Sequence, residues 1–509
     1  MFGSGHDITL TGAEIDAEDA WLTSFGLELR AGSVLRERPF SHPLSNRSYV
    51  VPTEWYRQRP PEQVQADRLR RDLLTLRTVM EKAYGGWDTA ENRGWDWNRW
   101  FSEWDASLAG RADQRLTLRE AFAPLANLLE FQLDNHTGVA ASAMHFGSGS
   151  RTAVLERKPT GPCTAMKTDS GRAFAIEPND RGQQPKMALS VPTSGEMDQP
   201  VYYISYPARR GDMSFARCGD EWIRAAPVWN PMGKDRIKMV LELAKTEEDV
   251  PSYRTLSTAV SYFRLPTVTK QNGERLRTLI RALPATAGQE KVFIVDLRAN
   301  EGGDAPIEAL SRWVDLADLQ SAARIAQRRR LSCLYTSLRW GYTQVTMAAV
   351  RPPVSEELRS NLQHALDMLF EPSPDGCPDT IDEVKSEWNY ELRNFRAAPP
   401  PGQPRLLVLV DNACGSDGEL MAYALAAIPG TLVAGTNTYG VAQFIQPGYF
   451  VLPHTRIPFR IALGTSDLYG DARSFDGYGL DIDILLSTQG SQSPEGVLRI
   501  VDWMESMPA

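Results

Sequence analysis

Two short stretches carry residue types from which a hydrolase could be built. The first is Val408-Leu409-Val410-Asp411-Asn412-Ala413-Cys414-Gly415-Ser416-Asp417-Gly418-Glu419. An apolar strand stops, the chain turns through glycine, and a helix begins. Ser416 is then held near a helix N-terminus, where backbone N–H groups favour a developing oxyanion. The same pattern would make Ser416 a plain N-cap with Glu419 as its capping-box partner, and the pattern alone does not choose between the two. The second stretch is Asp296-Leu297-Arg298-Ala299-Asn300-Glu301-Gly302-Gly303-Asp304. Its paired glycines let backbone approach a substrate carbonyl and expose amides.

These loops need elements to hold them. Val292–Leu297, Leu406–Val410 and Leu432–Ala434 are apolar runs short enough for buried strands, and helical patterns follow at Ala305–Trp313 and Glu419–Ala427. A strand at Ser261–Leu265 and a helix at Gly273–Leu283 precede them. Strands alternating with helices predict an α/β sheet with its site at the strand ends. Upstream, Leu69, Leu73, Leu76, Met80 and Ala83 recur at helical spacing. A second helix starts at the capping box Thr117/Glu120 and runs to Asp134-Asn135-His136-Thr137-Gly138, where Gly138 is the expected stop. Between them Trp87, Trp95, Trp97, Trp100 and Trp104 could suggest a platform for a sugar or aromatic ligand; a helical core built on large side chains is the favoured reading.

The expected organisation is multi-domain. Residues 1–63 are an irregular segment, 64–138 an N-terminal helical domain and 139–255 a small β-rich domain. Residues 256–490 form an α/β core, with a cap-like insertion over 315–400 that includes a helix near Ser355–Phe370. Residues 491–509 end in a helix.

Together the two loops resemble those of the S41 peptidase superfamily, which includes the C-terminal processing (tail-specific) proteases and the tricorn core protease. Asp296 to Gly303 matches its D-L-R-x-N-x-G-G turn, and Asn412 to Glu419 its N-x-x-x-(G/A)-S-x-x-(E/D) motif with one residue fewer. The G-S-D-G-E form looks more like the tricorn branch. Gly435 to Gly440 and Asp476 to Asp483 are similar to two later family turns, and Tyr262 to Pro266 to its first core strand. The resemblance implies a ClpP/crotonase-like core and a serine peptidase with Ser416 as nucleophile, acting on a peptide or protein substrate. Residues 139–255 stand where many members carry a PDZ domain, but no PDZ carboxylate-binding signature is visible there.

The implied base is missing from both family positions. Processing proteases place a lysine where Val441 stands, and the tricorn branch a histidine where Arg264 stands. Valine takes no proton and arginine stays protonated. Of the six histidines (His6, His42, His136, His145, His364 and His454) only His136 lies inside a family motif, D-x-H-T. It is the first candidate for the base, with Asp134 beside it to orient a ring nitrogen; His454 is the second. Asp476, in the closing motif, is the candidate acidic partner, and Glu419 a further alternate. The oxyanion donors expected are the amides of Asp417 and of Gly302 or Gly303. Two other readings compete: a pseudo-enzyme that keeps the fold and binds a peptide or partner protein, and an esterase or acyl transferase on the same fold.

The remaining expectations come from composition. A net charge of -9 without a Lys/Arg block excludes a nucleic-acid footprint. No apolar run is long enough to span a membrane. There is no H-E-x-x-H, no G-x-x-x-x-G-K-[ST] and no His/Cys cluster, so neither a metal nor another cofactor is expected. The acidic first residues make no signal peptide, so the chain reads as cytoplasmic, or as periplasmic or secreted if a leader once preceded it. The five cysteines, Cys163, Cys218, Cys333, Cys377 and Cys414, read as reduced thiols, whereas a secreted form could pair Cys163 with Cys218 and Cys333 with Cys377. A homo-oligomer stays open.

Overall fold

The computed structural model describes residues 10–29, 35, 49–139, 150–175, 186–191, 199–207, 212–230, 234–267, 269–303, 310–315, 326–331, 333–348, 350–370, 380–384, 397–467 and 475–507. The chain forms two compact units, each threaded from three segments.

One unit takes residues 148–326, 384–443 and 467–509. A 13-stranded sheet runs through it. The parallel stretch is Val260–Arg264, Val292–Asp296, Arg405–Val410, Leu432–Gly435 and Ile484–Leu485, in that spatial order. Every residue of Val292–Asp296 and Arg405–Val410 is buried, as expected of apolar strands covered on both faces. Side chains alternate between two cores. Phe293, Val295 and Val408 join Trp313 and Met421 on one face; Ile294, Leu407 and Leu409 join Ile500 and Val501 of the helix Pro494–Glu505 on the other. Asp296 lies opposite Leu409 and Val410 opposite Gly435, so the loops leaving these strands emerge side by side.

The β-rich segment expected as a separate small domain continues this sheet. Lys186–Ser190 runs parallel to Ile484–Leu485, and antiparallel strands extend outward from it to Ala173–Ala175. Ala188 and Tyr203 pack into the same core as Phe263. Cys163 and Cys218 lie opposite each other on neighbouring strands and form a disulfide, which corrects the expectation of reduced thiols there. Cys414 is buried and free. Residues 305–309 of the helix expected at Ala305–Trp313 lie outside the described residues, and residues 311–313 form a turn.

The other unit takes residues 1–147, 327–383 and 444–466. The helix Ala66–Ala83 buries the predicted face of Leu69, Leu73, Leu76, Met80 and Ala83. Trp97, Trp100 and Trp104 of the helix Trp97–Ala109 are buried, and their indole N–H groups donate to the carbonyls of Trp87, Pro124 and Ala121. Trp87 stacks on Trp97 with centroids 4.0 Å apart. Trp97, Trp100 and Trp104 are therefore core with their polar ends satisfied inside it, and Trp87 and Trp95 pack half-buried against them. The helix expected from Thr117 is two, Leu118–Ala121 and Ala123–Gln132, broken at Phe122 ahead of Pro124. It ends at Leu133 in the left-handed conformation, not at Gly138. The 315–400 insertion contributes the helices Cys333–Met347 and Glu356–Asp367, and Leu334 and Leu338 pack with Phe444 and Phe459 in the Trp-rich core. Among the described residues no helix is long and apolar enough to cross a membrane.

Candidate active site

Ser416 sits at the head of the helix Asp417–Ala426, directly after the turn that leaves the strand Arg405–Val410. Its backbone is at φ 52°, ψ -124°, a region that non-glycine residues avoid. Such strain persists only where the surroundings over-determine it, and here they do. Asp411 Oδ1 accepts from the amides of Ala413 and Cys414 in the turn and of Ala299 in the glycine loop. Arg236 braces Asp411 and Asn412 from outside. Asn300 ties three loops together: its backbone carbonyl accepts from the Gly415 amide, its Oδ1 from the Gly302 amide, and its Nδ2 donates to Leu265. Sequence reading missed both Asn300 and Asp411 as organisers; Asn300 stood inside the D-L-R-x-N-x-G-G match, and Asp411 is the polar residue just after a buried strand.

The glycine loop approaches so closely that a Cβ on Gly302 would stand 2.8 Å from the Cβ of Ser416. Gly302 is at φ 109° and Gly303 at φ 100°, positions that glycine alone takes without strain. The expected oxyanion set needs one correction. The Gly302 amide donates to Asn300 at 2.9 Å, so it is already spent.

Glu419 ties the nucleophile turn to the loop at Gly440 and Val441. Fully buried, it accepts from the amides of Ser416 at 3.2 Å, Gly440 at 2.6 Å and Val441 at 2.8 Å. Burial pushes its carboxyl up to about 7, against the lowering effect of the Thr438 hydroxyl and these amides. Asp296, under the glycine loop, goes the other way. Burial would raise it, but the bidentate Arg298 guanidinium holds it below the usual carboxylate range. Arg264 is buried and paired with Asp249, and also donates to the Asp296 carbonyl, so it is a structural cation. Asp476 is buried, with Oδ1 accepting from the Gln443 amide at 2.7 Å.

In the Trp-rich unit, burial and the charge of Arg460 push the His136 imidazole down to about 3. Part of the residue still meets solvent, which limits how far it falls, and the ring is neutral at pH 7 either way. Its Nδ1 has no hydrogen-bond partner among the described residues. Asp134 does not orient that ring, contrary to expectation. Its Oδ1 accepts from the backbone amides of His136 and Thr137 and its Oδ2 from the Tyr84 hydroxyl, so it stiffens the turn. His454 is fixed through its backbone amide to Asp72. His364 is exposed on its helix, and His6, His42 and His145 lie outside the described residues.

Comparison with known proteins gives a class to this arrangement. Residues 259–462, which hold both motif loops, match the model of Peptidase family S41. No curated protein matches. Among solved structures, mature CPAF complexed with lactacystin is 13% identical over 86% of this chain and 97% of its own, with a TM-score of 0.39. The photosystem II D1 C-terminal processing protease is 11% identical over 86% of this chain and 97% of its own, at 0.33. Tricorn protease is 12% identical over 87% of this chain and 37% of its own, at 0.36. At scores this low the likenesses decide nothing about branch or mechanism. Residues 259–462 are similar to that family, and the enzyme is a serine-type peptidase.

Proposed function

We propose that the enzyme cleaves peptide bonds through an acyl-enzyme formed on Ser416. The observation that carries this reading is the strained conformation of Ser416 on a strand–turn–helix, with Gly302 so near that a Cβ there would stand 2.8 Å from the Ser416 Cβ. Strain of order 1–3 kcal/mol is tolerable where it presents a nucleophile. Ser416 Oγ attacks the scissile carbonyl, and the amides of Asp417 and Gly303 receive the oxyanion. The proton taken from Ser416 returns to the leaving amine, and water then hydrolyses the ester.

The base we assign is His136. The D-x-H-T motif nominates it; the burial that pushes its ring down to about 3 keeps it neutral at pH 7 but makes it a weak proton acceptor until substrate changes its surroundings. Asp476 is the acidic partner and His454 the fallback base. The G-S-D-G-E sequence favours kinship with the tricorn branch. Ser416→Ala should abolish peptide cleavage and covalent labelling by a fluorophosphonate; cleavage at the original rate would sink the assignment. His136→Ala should lower kcat by roughly a thousandfold or more, with partial recovery in added imidazole. The rival reading, a binding protein without catalysis, is favoured by Val441 and the ion-paired Arg264 standing where relatives carry a base. An unsubstituted protein that neither labels nor cleaves would decide for it.

A further inference from the structure

A groove of about 1130 Å³ opens within the large-sheet unit, alongside both motif loops. Ala299 and Glu301 of the glycine loop and Ala413 of the nucleophile turn form one side. The other side is the helix Lys234–Ala244 and the chain that follows it to Asp249.

Arg236, Lys238, Glu242 and Asp249 along this groove are paired, while Lys234, Lys245, Glu247 and Glu301 are exposed at its rim. Lys238 faces Glu242 at 3.8 Å, Asp249 holds Arg264, and Arg236 holds Asp411 and Asn412. Its apolar part is Ile237 and Leu241, one helical turn apart and each half-buried. From Lys234 to Ala244 the helix rises about 15 Å, at ~1.5 Å per residue. An extended peptide advances ~3.4 Å per residue, so the groove holds about five residues.

We infer that the groove seats about five residues of extended substrate, to one side of the bond cut at Ser416, with an apolar substrate side chain held by Ile237 and Leu241. The inference rests on the peptidase reading. A substrate polypeptide is the occupant because the groove is continuous with both motif loops, so a chain lying in it leads to the nucleophile turn.

The test measures binding and turnover separately. Binding is read by fluorescence anisotropy on the full chain carrying Ser416→Ala, with fluorescein-labelled decapeptides of glycine and serine in which one leucine is stepped along the sequence. The leucine should tighten binding at one position only. Leu241→Asp should weaken that binding by about tenfold or more, the worth of burying one leucine side chain, while Leu241→Met retains it. Thermal unfolding of both variants separates a lost contact from a lost fold. With Ser416 present, kcat/KM should rise with peptide length on one side of the cut until about five residues, then level off. Leu241→Asp should erase that rise and leave hydrolysis of a short nitrophenyl ester unchanged.

If the folded Leu241→Asp protein binds the leucine peptide as tightly as before, the groove is not the substrate site, even with ester hydrolysis intact. Concentration-dependent dimerisation lost in Leu241→Asp, without peptide binding, would give the groove to a second copy of the chain and also overturn the inference. Leucine-dependent binding that needs Leu241, in a protein whose Ser416 never labels, would instead remove the peptidase reading and leave the groove standing.

Discussion

Glu419→Gln is the sharpest perturbation of the nucleophile turn. The carboxylate accepts three backbone amides, those of Ser416 and Val441 on Oε2 and Gly440 on Oε1. A glutamine offers one oxygen. Placed at Oε2, it keeps two of these bonds and turns an NH₂ group toward the Gly440 amide; placed at Oε1, it loses two. Each buried donor left unsatisfied costs about 1–3 kcal/mol, so the variant should lose at least one such increment, offset in part by removal of a buried charge. Release of the Gly440–Val441 loop or of the Ser416 amide should misplace the nucleophile and lower kcat by roughly 10- to 100-fold. The pH dependence has a definite sign. Burial raises the folded-state carboxyl from 4.5 to about 7. Its contribution to stability is therefore complete below the unfolded value, and is lost as pH rises through the folded one. At about 1.4 kcal/mol per unit, the wild-type protein should lose about 3 kcal/mol from this group between roughly pH 4 and pH 8. Urea unfolding at one-unit pH steps would show this slope in wild type and its absence in Glu419→Gln, with peptide kcat/KM measured alongside. An identical slope in both proteins, or an undiminished kcat/KM in the variant, would refute the assigned role.

Gly302→Ala puts a methyl group 2.8 Å from the Ser416 Cβ, at a backbone angle of φ 109°. It should cost about 1–3 kcal/mol of stability and at least a hundredfold in fluorophosphonate labelling rate; wild-type labelling would mean that the loop moves aside freely. Cys163→Ser breaks a disulfide closing 55 residues of sequence, and should lower stability by about 2–4 kcal/mol, as should reducing agent on the wild type. Unchanged melting under reduction would show that the bridge does not form in solution.

The sequence was most legible where structure is local. The helix Ala66–Ala83 follows its apolar spacing, the Thr117/Glu120 capping box forms, and the strands Val292–Asp296 and Arg405–Val410 fall on their apolar runs. Each depends on neighbours a few residues away, which a periodic pattern records. The glycine loop and the nucleophile turn were also readable, because backbone at φ 109° beside Ser416 needs glycine and leaves a mark in the sequence. The charges of the acids were not readable. Asp296 and Glu419 are both buried carboxylates, yet Arg298 holds one low and enclosure drives the other up. Asp134 adjoins His136 in sequence but bonds to backbone amides, a choice made by the turn.

What the sequence determined by itself, then, is the chemistry on offer: Ser416, two loops able to expose amides, and no lysine or histidine where relatives carry a base. Tertiary structure decided how distant segments combine. It joined Lys186–Ser190 to Ile484–Leu485 in one sheet, and packed Leu334 and Leu338 with Phe444 and Phe459 against the tryptophans. Those pairings span tens to hundreds of residues. Nothing in a local pattern encodes them, because they are set by which apolar faces remain to be buried once each element has formed.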